Sequence, residues 1–546
     1  MSSSPVEVGG LQQLSPFQLK DLLIRSARDF SRSKAATHNF LDAGRGNPNW
    51  VATTPREAFF TLGRFALSES KRVWDEPDLG GMPHADGIAE RLRIFLARAG
   101  AGAGAELLRR TLDRAIAAFG FNPDAFVHEL TDSIIGDTYP VPDRMLVHAE
   151  QIVHRYLAKV MCDDRPPPGR FDLFAVEGGT AAMCYVFKSL LANRLLRRGD
   201  TVALGTPIFT PYVELPHLEE FSFQTIEIAQ SETREGFHTW QYPDAEIEKL
   251  ADPRVKAFFL VNPSNPASFG MAPETQQRIV ELVRTRRPDL IILTDDVYGT
   301  FVEGFRSLAA DLPQNTILVY SYSKHFGCTG WRLGVVALHE DNVLDRQIAA
   351  HPEADRSALH RRYESLTTDP DRVRFIDRIV ADSRDVALNH TAGLSPPQQV
   401  QMALFSLFAL LDDGDAYEQR CRAIIHERLE RLARGLGISV PSDPRRIGYY
   451  VDIDLEVWGR KEFGDDFVRY VQEHRQPVEV VLGLARRHGT VLLNGSGFNG
   501  PPWTVRISLA NLDADDYETI GRDLRETMQR GLEEWKRLTG QTSAKK

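Results

Sequence analysis

The alternation that runs from residue 171 to 340 constrains the fold more than any other feature of this chain. Short β-branched or aromatic runs recur there: Phe171–Val176 (FDLFAV), Thr201–Leu204 (TVAL), Phe223–Ile228 (FQTIEI), Ala257–Val261 (AFFLV), Leu290–Leu293 (LIIL) and Thr316–Tyr320 (TILVY). Amphipathic segments such as Thr180–Leu196 and Pro273–Thr285 fill several of the gaps. Near-continuous apolar strands separated by helices predict a mostly parallel, doubly wound α/β sheet covered on both faces. Ligands of such sheets sit beyond the carboxyl ends of the strands. Chemistry is therefore expected in the residues that follow each run.

The flanks read differently. Residues 1–145 are mainly helical and contain Ala99–Ala105 (AGAGAGA). Its glycines follow the helical pattern ERLRIFLARAG rather than a strand, which predicts a turn or helix break and not a dinucleotide loop. Residues 341–395 are charge-rich and predicted to be helical connections, and Pro166–Pro168 is a short linker. From Pro396 onward, helices over Gln399–Leu411 and Asp415–Leu436 lead into alternating segments at Gly448–Asp454, Gly489–Leu493 and Thr504–Leu509, the pattern of a smaller α+β domain. The expected division is 1–145, 146–395 and 396–546.

Composition excludes several classes. With 546 residues, 42% of them apolar and 26% charged, the chain can bury a large core and has no disorder signature. Its 65 basic and 75 acidic residues are interleaved and give a net charge of −10, so no nucleic-acid footprint is expected. The start, MSSSPVEVGG, has no basic and apolar leader pattern, and no run of about 18 apolar residues occurs. Cys162, Cys184, Cys328 and Cys421 are scattered without CxxC spacing, which suits a reducing compartment better than a disulfide framework or a zinc site. The expectation is a cytoplasmic protein with no membrane span and no metal.

The strand ends carry distinctive segments. Ser321–Gly334 (SYSKHFGCTGWRLG) follows TILVY directly, which puts Lys324 at the sheet rim among small hydroxyls and glycines. Glu177–Ala182 (EGGTAA) follows FDLFAV and opens a helix, where free backbone N–H groups and the helix dipole suit a phosphate dianion. Thr206–Tyr212 (TPIFTPY) offers an aromatic face after TVALG. Asn262–Pro266 (NPSNP) closes AFFLV, and Thr294–Tyr298 (TDDVY) closes LIIL. Any one of these is an ordinary loop, but five at strand ends of one sheet form a constellation.

Together they resemble the fold-type I pyridoxal 5′-phosphate (PLP) enzymes of the aminotransferase family, which implies a mostly parallel seven-stranded sheet in the large domain. The resemblance implies Lys324 as the Schiff-base lysine, with Arg332 and Ser321 or Ser323 near the cofactor phosphate. Gly178, Gly179 and Thr180 would form the phosphate turn, Phe209 would stack on the ring, and Asn265 and Tyr298 would bond its phenolic oxygen. Asp295 would face the pyridine nitrogen and keep it protonated as an electron sink. Asp296 rivals it, because adjacent aspartates leave the register open. By the same resemblance Arg506 in TVRISL forks onto the substrate α-carboxylate, Gly46 in GRGNPN covers the substrate, and Tyr139 in TYPVP reaches a phosphate across a dimer interface.

The chain is longer than an ordinary aminotransferase, with extra sequence before residue 177 and at 341–395. That layout, with SPFQLK at 15–20, GRGNPN, DTYPVP, VEGGTAAM and TDDVYGTF, is similar to the aspartate 4-decarboxylase branch of the family. It implies conversion of L-aspartate to L-alanine and CO2 with a secondary aspartate aminotransferase activity. It also implies Lys20 and Arg45 at the substrate site, and a homo-oligomer built from dimers, a dodecamer. The alternative is an aspartate or aromatic-amino-acid aminotransferase without decarboxylase activity. A PLP-fold transcription regulator would need a basic recognition helix, which residues 1–145 do not show.

Overall fold

The computed structural model, described over residues 16–33, 40–231, 233–234, 237–384 and 392–540, joins all six runs in one sheet and adds a seventh strand. The strands are β1 (Phe171–Val176), β2 (Thr201–Thr206), β3 (Gln224–Ala229), β4 (Val255–Val261), β5 (Ile291–Asp295), β6 (Thr316–Ser321) and β7 (Gly334–His339). Their spatial order is β1-β7-β6-β5-β4-β2-β3. Every pair is parallel except those of β7, which runs antiparallel between β1 and β6.

The strands read as unbroken apolar runs because successive side chains enter different cores. In β1, Leu173 and Ala175 pack with helices Val147–Cys162 and Pro396–Leu410, while Phe174 and Val176 pack with helix Gly179–Ala192. In β4, Phe258 and Leu260 face helix Pro273–Arg286, and Phe259 and Val261 face the other side. Each fully buried Val, Leu or Phe contributes about 1.5–3 kcal/mol, so a sheet sealed on both faces is the main source of stability.

The helix expected over Thr180–Leu196 ends at Ala192 instead. There the buried Asn193 side chain donates back to the Ser189 carbonyl at 3.0 Å, offering the backbone an alternative to another turn. Within 341–395 lie helices Val343–Ala349, Glu353–Tyr363 and Phe375–Asp382; residues 385–391 fall outside the described residues, as do MSSSPVEVGG and Ser15 of SPFQLK.

Residues from the N-terminal region divide between two bodies. Helix Pro16–Ser31 packs on helix Pro477–His488, and Leu41–Asp42 pairs in parallel with Thr490–Val491. Leu23, Ala27 and Leu41 thus belong to the core built by the C-terminal residues. The helices from Thr53 to Ile135 pack instead beside β1 with helices Val147–Cys162 and Pro396–Leu410. The first four residues of AGAGAGA, Ala99–Gly102, are the break between helices Ile88–Arg98 and Ala103–Arg110, and its last three open the second helix. Gly104 is there for proximity: a Cβ on it would stand 2.3 Å from the Ala58 nitrogen.

A second, three-stranded antiparallel sheet, β8 (Tyr450–Asp454), β9 (Leu493–Asn494) and β10 (Thr504–Ser508), has the order β8-β10-β9. Helices Ala416–Leu436 and Ala514–Leu538 pack together beside it. No described helix is long and apolar enough to cross a membrane, and no group of three metal-ligating side chains occurs among the described residues.

Candidate active site

A cavity opens at the carboxyl edge of the central sheet. It is lined by Gly179, Thr180, Phe209, Asn265, Asp295, Tyr298, Ser321, Ser323, Lys324 and Arg332, with Val261, Val297, Thr329 and Tyr450 completing the wall. These residues follow β1, β2, β4, β5 and β6, so a parallel sheet has delivered five separate segments to one edge.

The turn after β1 is built around two close approaches. Gly178 has φ +89°, and a Cβ on it would fall 2.5 Å from Nη2 of Arg332. Arg332 donates to the carbonyls of Glu177 and Thr329, each at 3.0 Å. Because β7 returns beside β1, a Cβ on Gly334 would meet the Gly178 backbone at 2.6 Å. The amino end of helix Gly179–Ala192, the Ser321 and Ser323 hydroxyls (3.0 Å apart) and the Arg332 guanidinium therefore converge on one corner.

Strand alternation sends the two aspartates to opposite faces of the sheet. Asp295 lines the cavity, accepting from the Val297 amide at 3.3 Å and the Tyr212 hydroxyl at 3.5 Å. Burial pushes its carboxyl up to about 6, against the Val297 amide and the Lys324 charge, which favour the ionised form. Asp296 points to the opposite face, where it accepts from Thr294 and burial pushes it up to about 7.

On the substrate side, Lys324 Nζ donates to the Gly46 carbonyl at 3.0 Å, and the Tyr449 hydroxyl donates to the same oxygen at 2.8 Å. Arg506 is buried; it donates to Asn265 Oδ1 at 3.2 Å and to the Gly44 carbonyl at 2.8 Å, with its guanidinium 4.4 Å from the Tyr450 ring centre. Arg45 has a half-exposed side chain whose Nε donates to Asp42 at 3.0 Å. Lys20, on helix Pro16–Ser31, is part-buried, and its charge reaches the Tyr450 phenol. Tyr139 is exposed and does not line the cavity of its own chain.

Residues 177–523 match the family model for aminotransferase class I and II. The chain belongs to this family. It is 47% identical over 530 residues to a "Bifunctional aspartate aminotransferase and L-aspartate beta-decarboxylase" from Pseudomonas sp, a match covering 97% of this chain and 98% of that one. Among solved structures, an aromatic aminotransferase from Pyrococcus horikoshii OT3 superposes with a TM-score of 0.55 at 16% identity, covering 94% of this chain and 99% of the other. A Thermus thermophilus aspartate aminotransferase double mutant gives 0.52 at 16% identity, covering 98% and 100%. These two likenesses establish the aminotransferase fold.

Class I and II aminotransferases are PLP-dependent, and this family member's cavity has the donors such a cofactor requires. The glycine that a Cβ would block, the helix amino end, the paired serine hydroxyls and Arg332 suit a phosphate dianion. A buried carboxylate suits a protonated ring nitrogen. Two residues of this aminotransferase escaped sequence reasoning. Tyr212 donates to Asp295, and Tyr450 lines the cavity and accepts from Tyr298 at 3.0 Å. The aromatic pair in GYYVDID was the available signal, since alternation gives Tyr450 and Asp452 one face, and Asp452 pairs with Arg506.

Proposed function

We propose that this chain is a PLP-dependent enzyme that converts L-aspartate to L-alanine and CO2 and also transaminates aspartate. The observation that carries this reading is its 47% identity, across 97% of the chain, to a Pseudomonas protein named for both activities. Gly178, Gly179, Thr180, Ser321, Ser323 and Arg332 would hold the cofactor phosphate, joined by Tyr139 of a neighbouring subunit. Phe209 would cover the ring, Asn265 and Tyr298 its phenolic oxygen, Asp295 its ring nitrogen, and Lys324 would attach it. Bound PLP supplies an electron sink for the pairs released at Cα and Cβ.

Arg506 anchors the α-carboxylate and so fixes the direction of the side chain. The Lys324 amine takes and returns the Cα proton. Arg45 and Lys20 steer the β-carboxylate into place. An ion pair that stayed strong would stabilise the bound substrate and slow CO2 loss. The exposure of Arg45 and its existing Asp42 partner support a contact that weakens as the carboxylate neutralises. Holoenzyme given aspartate alone should form alanine and CO2 over many turnovers. A single stoichiometric turnover without alanine would leave the plain aminotransferase.

We infer that the chain assembles from dimers into a cytoplasmic dodecamer, and that residues 1–145 are an extension shared between the larger unit, 146–395, and the smaller one, 396–546. Exposed apolar side chains support assembly. On helix Thr53–Val73, Phe60 and Leu67 are 61% and 60% exposed, and Trp74 follows at 52%. Residues seven apart share a helix face, and such a stripe marks an interaction surface. The four free cysteines suit a reducing compartment. Light scattering of the holoenzyme gives the mass, and a Phe60→Glu, Leu67→Glu protein should be smaller.

A further inference from the structure

We propose that Tyr450 is the acid that delivers a proton to Cβ after CO2 has left, a role that rests on the aspartate decarboxylase reading above. Tyr450 is fixed by its fold position: it pairs with Ser508 in β10, and its amide donates to Ser268 Oγ at 2.8 Å. Its ring lies against the Arg506 guanidinium, and its hydroxyl accepts from Tyr298 at 3.0 Å. A Cβ on Gly46 would fall 2.2 Å from the Tyr450 hydroxyl and 3.3 Å from Lys324 Nζ. The phenol and the lysine amine thus border the same point beside Gly46. Tyr450 also lines a neighbouring groove of about 610 Å³, together with Trp240, Phe269 and Trp458.

The charges around the hydroxyl favour release of its proton. Burial raises Tyr298, Tyr449 and Tyr450 alike, and the first two stay well above the usual tyrosine range. At Tyr450, Lys324 from the β6–β7 loop, Arg506 from β10, the Tyr298 hydrogen bond and Lys20 from helix Pro16–Ser31 outweigh burial and bring the phenol below that range. A phenol with a stabilised phenolate is a competent general acid closer to neutral pH.

The step balances. The bond between Cβ and the carboxylate carbon breaks, its electron pair stays with the amino-acid portion, and CO2 departs. The Tyr450 O–H bond then breaks, its proton joins that pair as a new C–H bond at Cβ, and the phenolate regains a proton from solvent. Aspartate and one proton become alanine and CO2. Transamination places no proton on Cβ, so loss of this acid falls more heavily on alanine formation than on transamination.

Tyr450→Phe keeps the ring against Arg506 and removes only the O–H. The ratio of alanine formation to transamination with 2-oxoglutarate should fall by about 100-fold or more, the usual range for loss of a general acid. In the cofactor-free protein, ultraviolet titration should show one phenol ionising below the others in wild type and none in Tyr450→Phe. An unchanged ratio, or a low-titrating phenol that persists in the variant, overturns the assignment. A wild-type enzyme that makes no alanine overturns the decarboxylase reading itself, which is seen before any variant is made.

Discussion

Lys324 Nζ stands 3.0 Å from the carbonyl oxygen of Gly46, 278 residues away in the chain. The loop after β6 and the turn after Leu41–Asp42 therefore meet at this hydrogen bond, beside the cavity that Lys324 lines. Lys324→Ala should lower alanine formation by roughly 10³- to 10⁴-fold. Added PLP should then give no absorbance band of lysine-bound cofactor, and a persisting band would remove Lys324 from its role.

Gly178 holds φ +89° with Arg332 where a side chain would be. Gly178→Ala should weaken PLP binding by about 10-fold or more, since strain of this kind costs about 1–3 kcal/mol. Gly179→Ala is the comparison, because a Cβ there meets nothing nearer than 3.7 Å and its loss should be smaller. Fluorescence titration of the cofactor-free proteins measures both.

Asp296 is buried behind the site with one carboxylate oxygen lacking a hydrogen bond. Its folded pKa, about 7, lies above the unfolded value near 3.8, so ionisation opposes folding. Stability from this group is present below the unfolded value and is lost as pH rises through about 7. Asp296→Asn should gain on wild type by up to about 4 kcal/mol between roughly pH 4 and pH 8. Urea unfolding of the cofactor-free proteins across that range checks it, and a difference independent of pH would contradict it.

Arg506 spends its two terminal nitrogens on Asn265 and the Gly44 carbonyl while facing the cavity wall at Tyr450. Lysine preserves the charge but not the planar fork. Arg506→Lys should lower kcat/KM for aspartate by about 30-fold, near 2 kcal/mol, with the larger part in KM. Steady-state kinetics with varied aspartate separate the two parameters.

Five of the six strands read from the sequence are buried on both faces, and the edge strand β3, largely exposed or half-buried, was legible from its β-branched run between turn residues. β7 was not, although GVVALH is equally apolar. It begins two residues after Arg332, with no helix between, so its letters read as the tail of the lysine segment rather than as a strand returning antiparallel. The choice between Asp295 and Asp296 was closed to the sequence for a related reason: period-two alternation assigns faces only once one residue's face is known. Tyr450 was hidden because its meaning depends on pairing with the strand of Arg506, which no local pattern announces. Tyr139 is exposed and does not line the cavity of its own chain, so the fold of one chain does not place it at the site.

The parallel pairing of Leu41–Asp42 with Thr490–Val491 sets a schedule for biosynthesis. A ribosome adding about 5–20 residues per second reaches Thr490 roughly 20–90 s after Leu41. Throughout that interval the apolar face of helix Pro16–Ser31, with Leu23 and Ala27, has no partner among the helix and strand it later joins. The Gly46 carbonyl waits on Lys324 and Tyr449, which come about 280 and 400 residues after it in the chain. The large sheet can be complete while the substrate wall is still missing, so the nascent chain passes through a stage in which it can be well folded and yet inert.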